Sequence, residues 1–210
     1  MEMNVGLVLL AAGTSSRMGE NKLLLPWGDG TVIERAAHTF SVVNGMRAAV
    51  VSEEVAADSN AMNTLYAFGY TVIINAEPFE GQSRSLRLGM EAIEQSTPAA
   101  DGVMCAVADQ PCLSKESVRK LLRAFETAFS HSAIVWPRYG EAGGPPVIFG
   151  CRYFDMLKSI EGDRGGRTII REAPSRDVIR VDIPLREGID IDTKDIYRSL
   201  CASFGAGRKE

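Results

Sequence analysis

Seven residues without a polar side chain, Val5-Gly6-Leu7-Val8-Leu9-Leu10-Ala11, lead straight into Ala12-Gly13-Thr14-Ser15-Ser16-Arg17-Met18-Gly19-Glu20-Asn21-Lys22. A strand that is apolar on both faces has to be covered on both faces, as the centre of an α/β sheet is. In open sheets of that kind ligands bind at the carboxyl ends of the strands, where this loop falls. Further along, Val- and Ile-rich runs at 48–52, 71–75 and 102–108 read as strands, alternating with segments of helical period. Residues 31–43 put Val32, Ile33, Ala36, Ala37, Phe40 and Val43 on one stripe, and Thr31 with Glu34 makes a capping box. Helices are also predicted around 55–68, after Gly81 (Leu86, Met90, Ile93), and along Val118, Leu121, Leu122, Phe125 and Phe129. Residues 133–137 and 146–149 bracket a glycine-rich turn, 140–144, and a last helix from about Thr193 precedes a polar tail, 205–210, expected to fray.

The chain has 210 residues, with no repeat and no Pro/Ser-rich linker, which favours a single domain over 1–210. Within it, about 1–133 makes a first half and about 134–204 a mixed-sheet second half. Lys and Arg total 23 against 27 Asp and Glu, and the charges are scattered, so no basic face for nucleic acid is indicated. The longest apolar run is too short to span a bilayer and lacks a signal-peptide lead-in, so a cytoplasmic protein without membrane contact is expected. Cys105, Cys112, Cys151 and Cys201 form no CxxC pair, which argues against a disulfide framework or a zinc knuckle.

Glycines 13 and 19 let the loop after the first strand turn and present N–H groups, and its hydroxyls and cations are donors suited to phosphate oxygens. It is not a Walker A loop, because five residues separate the glycines and Lys22 comes three later, and the dinucleotide GxGxxG is absent. On the residues alone, phosphate binding and a long loop of solvated charges remain alternatives.

Leu10-Ala11-Ala12-Gly13-Thr14-Ser15-Ser16-Arg17-Met18-Gly19 with Lys22-Leu23-Leu24 resembles the signature loop of nucleotidyltransferases, in particular the molybdenum-cofactor cytidylyltransferase branch. The resemblance continues through Gly81-Gln82-Ser83-Arg84-Ser85-Leu86 with Gly89, through Asp109-Gln110-Pro111, and through the blocks at 143–147, 162–167 and 190–193. It implies a three-layer α/β/α fold with a mostly parallel, Rossmann-like sheet of the nucleotide-diphospho-sugar transferase kind. It also implies attack of an acceptor phosphate on the α-phosphorus of CTP, or of GTP in the guanylyl branch, with pyrophosphate leaving. Such chemistry needs alignment and charge neutralisation rather than a protein nucleophile.

By the same resemblance Arg17 and Lys22 grip the triphosphate, while Leu10, Ala11, Ala12, Gly13, Gly81, Ser83 and Ser85 border the nucleotide. Asp109 and Asp192 hold Mg²⁺, or Mn²⁺ in its place, with Asp190 as an alternate for the second carboxylate. Gly144, Asp163 and Arg167 face a molybdopterin-type acceptor, a molybdoenzyme or delivery chaperone receives the product, and the chain is a monomer or weak homodimer. Read without the resemblance, Asp109 is a turn former before Pro111, Asp192 an N-cap of the last helix, and one of the serines after Gly81 a helix cap, which leaves the glycines around it unexplained. Ala12 matches LAAG of the cytidylyl branch, where guanylyl relatives carry LAGG, and its methyl narrows the space beside the base. Two positions depart from the pattern: Pro145 stands where the family has His, and Ala108 where it commonly has Gly.

Other classes fit less well. A GxSxG elbow is missing, and His38 and His131 sit in polar surroundings. Cys105 reads as core within its strand. A sugar-1-phosphate nucleotidyltransferase would share the first loop and the acid, and a nucleotide-binding delivery protein would keep the fold without turnover.

Overall fold

The computed structural model describes residues 3–13, 18–162 and 166–206. Its strands are β1 (Val5–Ala11), β2 (Pro26–Trp27), β3 (Gly30–Thr31), β4 (Arg47–Val51), β5 (Tyr70–Ile74), β6 (Gly102–Val107), β7 (Ile134–Tyr139), β8 (Ala142–Gly143), β9 (Val147–Gly150) and β10 (Val178–Ile183). Its α-helices are α1 (Val32–Phe40), α2 (Glu53–Ala57), α3 (Ser59–Ala67), α4 (Gln82–Glu94), α5 (Lys115–Ala128), α6 (Phe154–Lys158), α7 (Arg167–Glu172) and α8 (Lys194–Ala206). Among the described residues one main sheet runs β10-β7-β9-β6-β1-β4-β5, with β8 paired to β7 and a small separate ribbon of β2 and β3. β6, β1, β4 and β5 are parallel, whereas β9 runs antiparallel to both β6 and β7. The expected α/β architecture with a mixed second half is what forms. Among the described residues, no helix is long and apolar enough to cross a membrane.

β1 shows why the first apolar run has to be central. Leu7 and Leu9 point into a core shared with α1, α3, α5 and α8, while Val8 points the other way, into a core with α4, α6 and α7. On that second face α4 lies very close to β1, because a Cβ on Gly89 would come within 2.4 Å of Val8 Cγ1. The glycine of the GxSxSLxxG segment thus sets the depth at which α4 packs, and with it the position of the N-terminus that faces the clefts described below.

Several local expectations need correction. Residues 55–68 form two helices, because Asp58 closes α2 and its Oδ1 accepts from Ala61 N–H at 2.8 Å to open α3. Phe129 does not continue the buried stripe of α5: it is the left-handed C-cap and is exposed. The turn at 140–144 contains the short strand β8. α8 runs through glycine 205 to Ala206, and residues 207–210 of the tail lie outside the described residues.

Candidate active site

The carboxyl ends of β1, β4, β5 and β6 open onto three adjoining clefts. The first, about 250 Å³, is bounded by Leu10, Ala12, Gly13, Lys22, Gln82 and Asp109, among others. A second, about 440 Å³, shares Ala12, Gly13 and Pro78 with it and extends towards Ser52 and Asn75. A third, about 360 Å³, shares Gln82, Val107 and Asp109 with the first and extends over Trp136, Gly144 and Arg167. Asp109 therefore stands where a cleft beside the first loop meets one built on the antiparallel half.

Lys22 enters this junction from a 3₁₀ turn that Asn21 starts. The buried Asn21 side chain accepts from Leu23 N–H at 3.1 Å and donates to Glu54 Oε2 at 3.1 Å, so the turn is tied to α2. Lys22 Nζ lies 2.5 Å from Asp109 Oδ2 and 3.3 Å from Asp192 Oδ1. Burial works to lower the pKa of this ammonium, but the Asp109 carboxylate, helped by Asp192, outweighs it and holds the group above the usual lysine value.

Asp192 reaches Lys22 because it is not a helix cap. Thr193 takes that role, its Oγ1 accepting from Ile196 N–H at 3.2 Å. The segment is pinned by Ile191 N–H donating to Asp109 O at 3.0 Å, and by Gln110 Nε2 donating to Asp190 Oδ1 at 2.8 Å. Burial, reinforced by the Asp109 and Asp192 charges, pushes the Asp190 carboxyl up to about 6, against the pull of the Gln110 hydrogen bond.

Asp109 Oδ1 is buried and has no hydrogen-bond partner among the described residues. A buried carboxylate oxygen without a donor is costly unless something else satisfies it. A hard divalent cation held by one or two carboxylates, with phosphate oxygens and water, is a donor set that Asp109 and Asp192 fit. No group of three or more His, Cys, Asp or Glu suited to a metal occurs among the described residues.

The remaining expected residues divide. Leu10, Ala12, Gly13, Gly81 and Ser85 line the first cleft, and Gly144 and Arg167 the third. Ala11 faces the core shared with α1, and Ser83 is buried without lining a described cleft. Neither serine caps α4. That cap is Gly81, at φ +89°, and Ser85 Oγ instead accepts from buried Asn75 Nδ2 at 3.0 Å. Cys105 lies in the wall of the third cleft rather than wholly in the core. Arg17 and Asp163 lie outside the described residues.

Sequence reasoning passed over Gln82, which borders the first and third clefts, and Asn75, whose Oδ1 also accepts from Arg84 Nε at 3.1 Å. Gln82 is the second residue of the motif beginning at Gly81, and Asn75 ends the predicted strand 71–75, so position at a strand end or within the motif was the available signal.

The model of the MobA-like NTP transferase domain matches residues 7–178. The chain belongs to that family. MobA-like relatives include the purine catabolism protein PucB of Bacillus subtilis (strain 168), 30% identical over 78% of this chain and 79% of its own. The nicotine blue oxidoreductase of Paenarthrobacter nicotinovorans is 29% identical, covering 92% and 95%. The molybdenum cofactor cytidylyltransferase of Escherichia coli (strain K12) is 25% identical, covering 92% and 93%. Among solved structures, a homologue of Mycobacterium tuberculosis Rv0371c from Mycobacterium sp. strain JC1 superposes with a TM-score of 0.79 at 23% identity, covering 99% and 100%. Rv0371c from M. tuberculosis H37Rv in complex with manganese gives 0.69 at 24%, covering 96% and 100%. A cytidylyltransferase from Leptospira borgpetersenii serovar Hardjo-bovis (strain JB197) gives 0.70 at 16%, covering 97% and 87%. As a MobA-like NTP transferase, the chain is a nucleotidyltransferase.

Proposed function

We propose that the protein transfers CMP from CTP to the phosphate of a molybdopterin-type acceptor and releases pyrophosphate. The observation that carries this reading is the meeting of two clefts at Asp109, with Lys22 between Asp109 and Asp192. A triphosphate along the first loop and an acceptor in the third cleft would bring the α-phosphorus and the attacking oxygen together at that junction, and alignment of this kind is the main demand of phosphoryl chemistry. The cytidylyl preference rests on Ala12, which lines both the first and second clefts and whose methyl reduces the room beside the base.

Arg17 and Lys22 would neutralise the phosphate oxygens, Lys22 turning from its carboxylate partners towards the charge that builds on the pyrophosphate. Ala12 and Gly13 would lay backbone against the phosphates, and Gln82 and Ser85 would orient the nucleotide from α4. Asp109 and Asp192 would hold Mg²⁺, or Mn²⁺ as in the mycobacterial complex, which would supply further neutralisation at the α-phosphate. Gly144 and Arg167, with Asp163, would seat the acceptor phosphate. We place the reaction in the cytoplasm, in a monomer or weak homodimer that hands its product to a molybdoenzyme or chaperone.

Calorimetric titration of CTP, GTP, UTP and ATP with Mg²⁺, repeated on Asp109→Ala, tests the reading. CTP preference that weakens in the variant supports it. A GTP preference moves the protein to guanylyl transfer, a UTP preference moves it to sugar phosphates, and failure of all four overturns it.

A further inference from the structure

The main sheet has two edges, and only one of them is blunted. At β10 the edge carries Arg180 and Asp182, the Asp182 carbonyl accepts from Lys120 Nζ at 2.8 Å, and the Asp182 carboxylate lies 2.6 Å from Arg138 Nε. Charges and covered carbonyls of this kind keep an edge strand from pairing with another chain. At the opposite edge β5 reads Tyr70-Thr71-Val72-Ile73-Ile74, without a charge, and no described strand lies beyond it. Just past β5, Asn75 N–H donates to Val51 O at 2.9 Å and so faces β4. Strand backbone alternates, so Tyr70, Val72 and Ile74 turn their N–H and C=O groups to the open side.

Two apolar side chains frame this row. Ile74 is 52% exposed and, by alternation, stands on the side of Tyr70 and Val72, which pack on the core shared with α1 and α3. Tyr66, 58% exposed, is on the same side, at the end of α3 that leads into Tyr70. On that helix Thr64 reaches across to α1, its Oγ1 donating to Glu34 Oε1 at 2.9 Å. Two residues further is about 200° around the helix axis, so Tyr66 points away from α1, towards the open edge.

We propose that β5 is a dimer seam, on which a second copy of this chain pairs antiparallel about a two-fold axis at Val72. The outward groups set the register: Val72 exchanges both hydrogen bonds with the partner's Val72, and Tyr70 pairs with the partner's Ile74. A two-fold contact uses one patch twice, and this patch is complementary to itself. Its strand residues are neutral, and Tyr66 of each copy comes to the exposed Ile74 of the other. A strand from an unrelated protein would satisfy the backbone but bring no Tyr66 to cover Ile74. None of residues 70–74 lines the clefts around Asp109, so the seam stands apart from the chemistry proposed there. Five residues a side make a small contact, and the association is of the weak, concentration-dependent kind.

Sedimentation of the full chain over a concentration series, with amide hydrogen exchange followed by NMR on the same samples, tests the seam. Wild type should pass from monomer to dimer, and exchange of the Val72 and Ile74 amides should slow as the dimer forms. Val72→Pro removes only an outward N–H, which an edge strand tolerates. It should weaken dimerisation about tenfold or more, because both central hydrogen bonds are lost and a ring stands in place of each. Ile74→Lys puts a charge at each end of the seam and should abolish dimerisation. Urea unfolding of the monomeric variants should stay close to that of wild type. If Val72→Pro does not fold, Ile74→Lys, at an exposed position, decides alone. Wild type that stays monomeric at every concentration overturns the proposal. A dimer that a folded variant keeps at wild-type strength, or one that leaves the Val72 and Ile74 amides unprotected, overturns it too, since either result puts the contact elsewhere.

Discussion

Lys22 Nζ is 2.5 Å from Asp109 Oδ2, and the same ammonium is 3.3 Å from Asp192 Oδ1, so a cation from the first loop bridges a carboxylate just past the end of β6 and one just before α8, far apart in sequence. Lys22 and a divalent metal would therefore compete for the same two acids until a triphosphate draws the lysine away. Removing the lysine should have opposite effects on metal and on catalysis. In Lys22→Met, Mn²⁺ binding without nucleotide, followed by electron paramagnetic resonance, should tighten. Turnover at saturating CTP should fall by about a hundredfold or more, the scale seen when a preorganised charge is removed from a transition state. Unchanged Mn²⁺ affinity would show that the ammonium does not guard these carboxylates.

On the proposed reading, Gly13 is a glycine for the ligand's sake. Its φ is not in the left-handed region, and a Cβ there would meet none of the described residues within 4 Å, yet the residue borders both the first and second clefts. Gly13→Val should melt within a degree or two of wild type, since an unstrained surface change costs about 0.5 kcal/mol or less. Its side chain should nonetheless fill the space the nucleotide needs and abolish detectable CTP binding. A large drop in melting temperature would mean that the glycine is needed for the backbone instead.

Gly89 is the contrasting case. Its added methyl would sit 2.4 Å from Val8 Cγ1 in the middle of β1, where neither backbone can yield easily. Gly89→Ala should cost about 1–3 kcal/mol in urea unfolding, the range for overpacked cores. Because α4 carries Gln82 and Ser85 at its first turn, CTP affinity should fall with it. A variant as stable as wild type would mean that α4 can retreat without loss.

Asp192 and Thr193 are neighbours with separable tasks. Thr193→Ala removes the side chain that accepts from Ile196 N–H and should cost about 1 kcal/mol in stability with turnover nearly kept. Asp192→Asn should leave the unfolding curve almost where it was and depress turnover. If the two results were exchanged, Asp192 would be the cap and would leave the site.

The elements that could be read from sequence are those whose reasons are local. The unbroken apolar run of β1, the capping box of Thr31 and Glu34, and the stripe Val118, Leu121, Leu122 and Phe125 all appear as expected. The break at Asp58 was hidden because one aspartate both closes a helix and opens the next, and the apolar period continues across it. In the site, Asp109 could be singled out only through the resemblance carried by Asp109-Gln110-Pro111, since its place before Pro111 by itself reads as a turn. The choice between Asp190 and Asp192 was not, since it depends on Gln110 taking the first and Lys22 the second. Trp136 looks like any core residue in a strand, and only the cavity beside it distinguishes its place.

The single strand β6 separates the parallel half from the antiparallel half, and its end supplies Val107 and, one residue past Ala108, Asp109 to clefts on either hand. The chemistry is thereby anchored to a partition that neither half owns. On the proposed reading, substitutions on β7 or β9 would reshape what is accepted while leaving the triphosphate's surroundings in place, and changes near β1 would alter the donor side instead. On that reading such a molecule would be able to acquire a new acceptor and keep its old donor, one wall at a time.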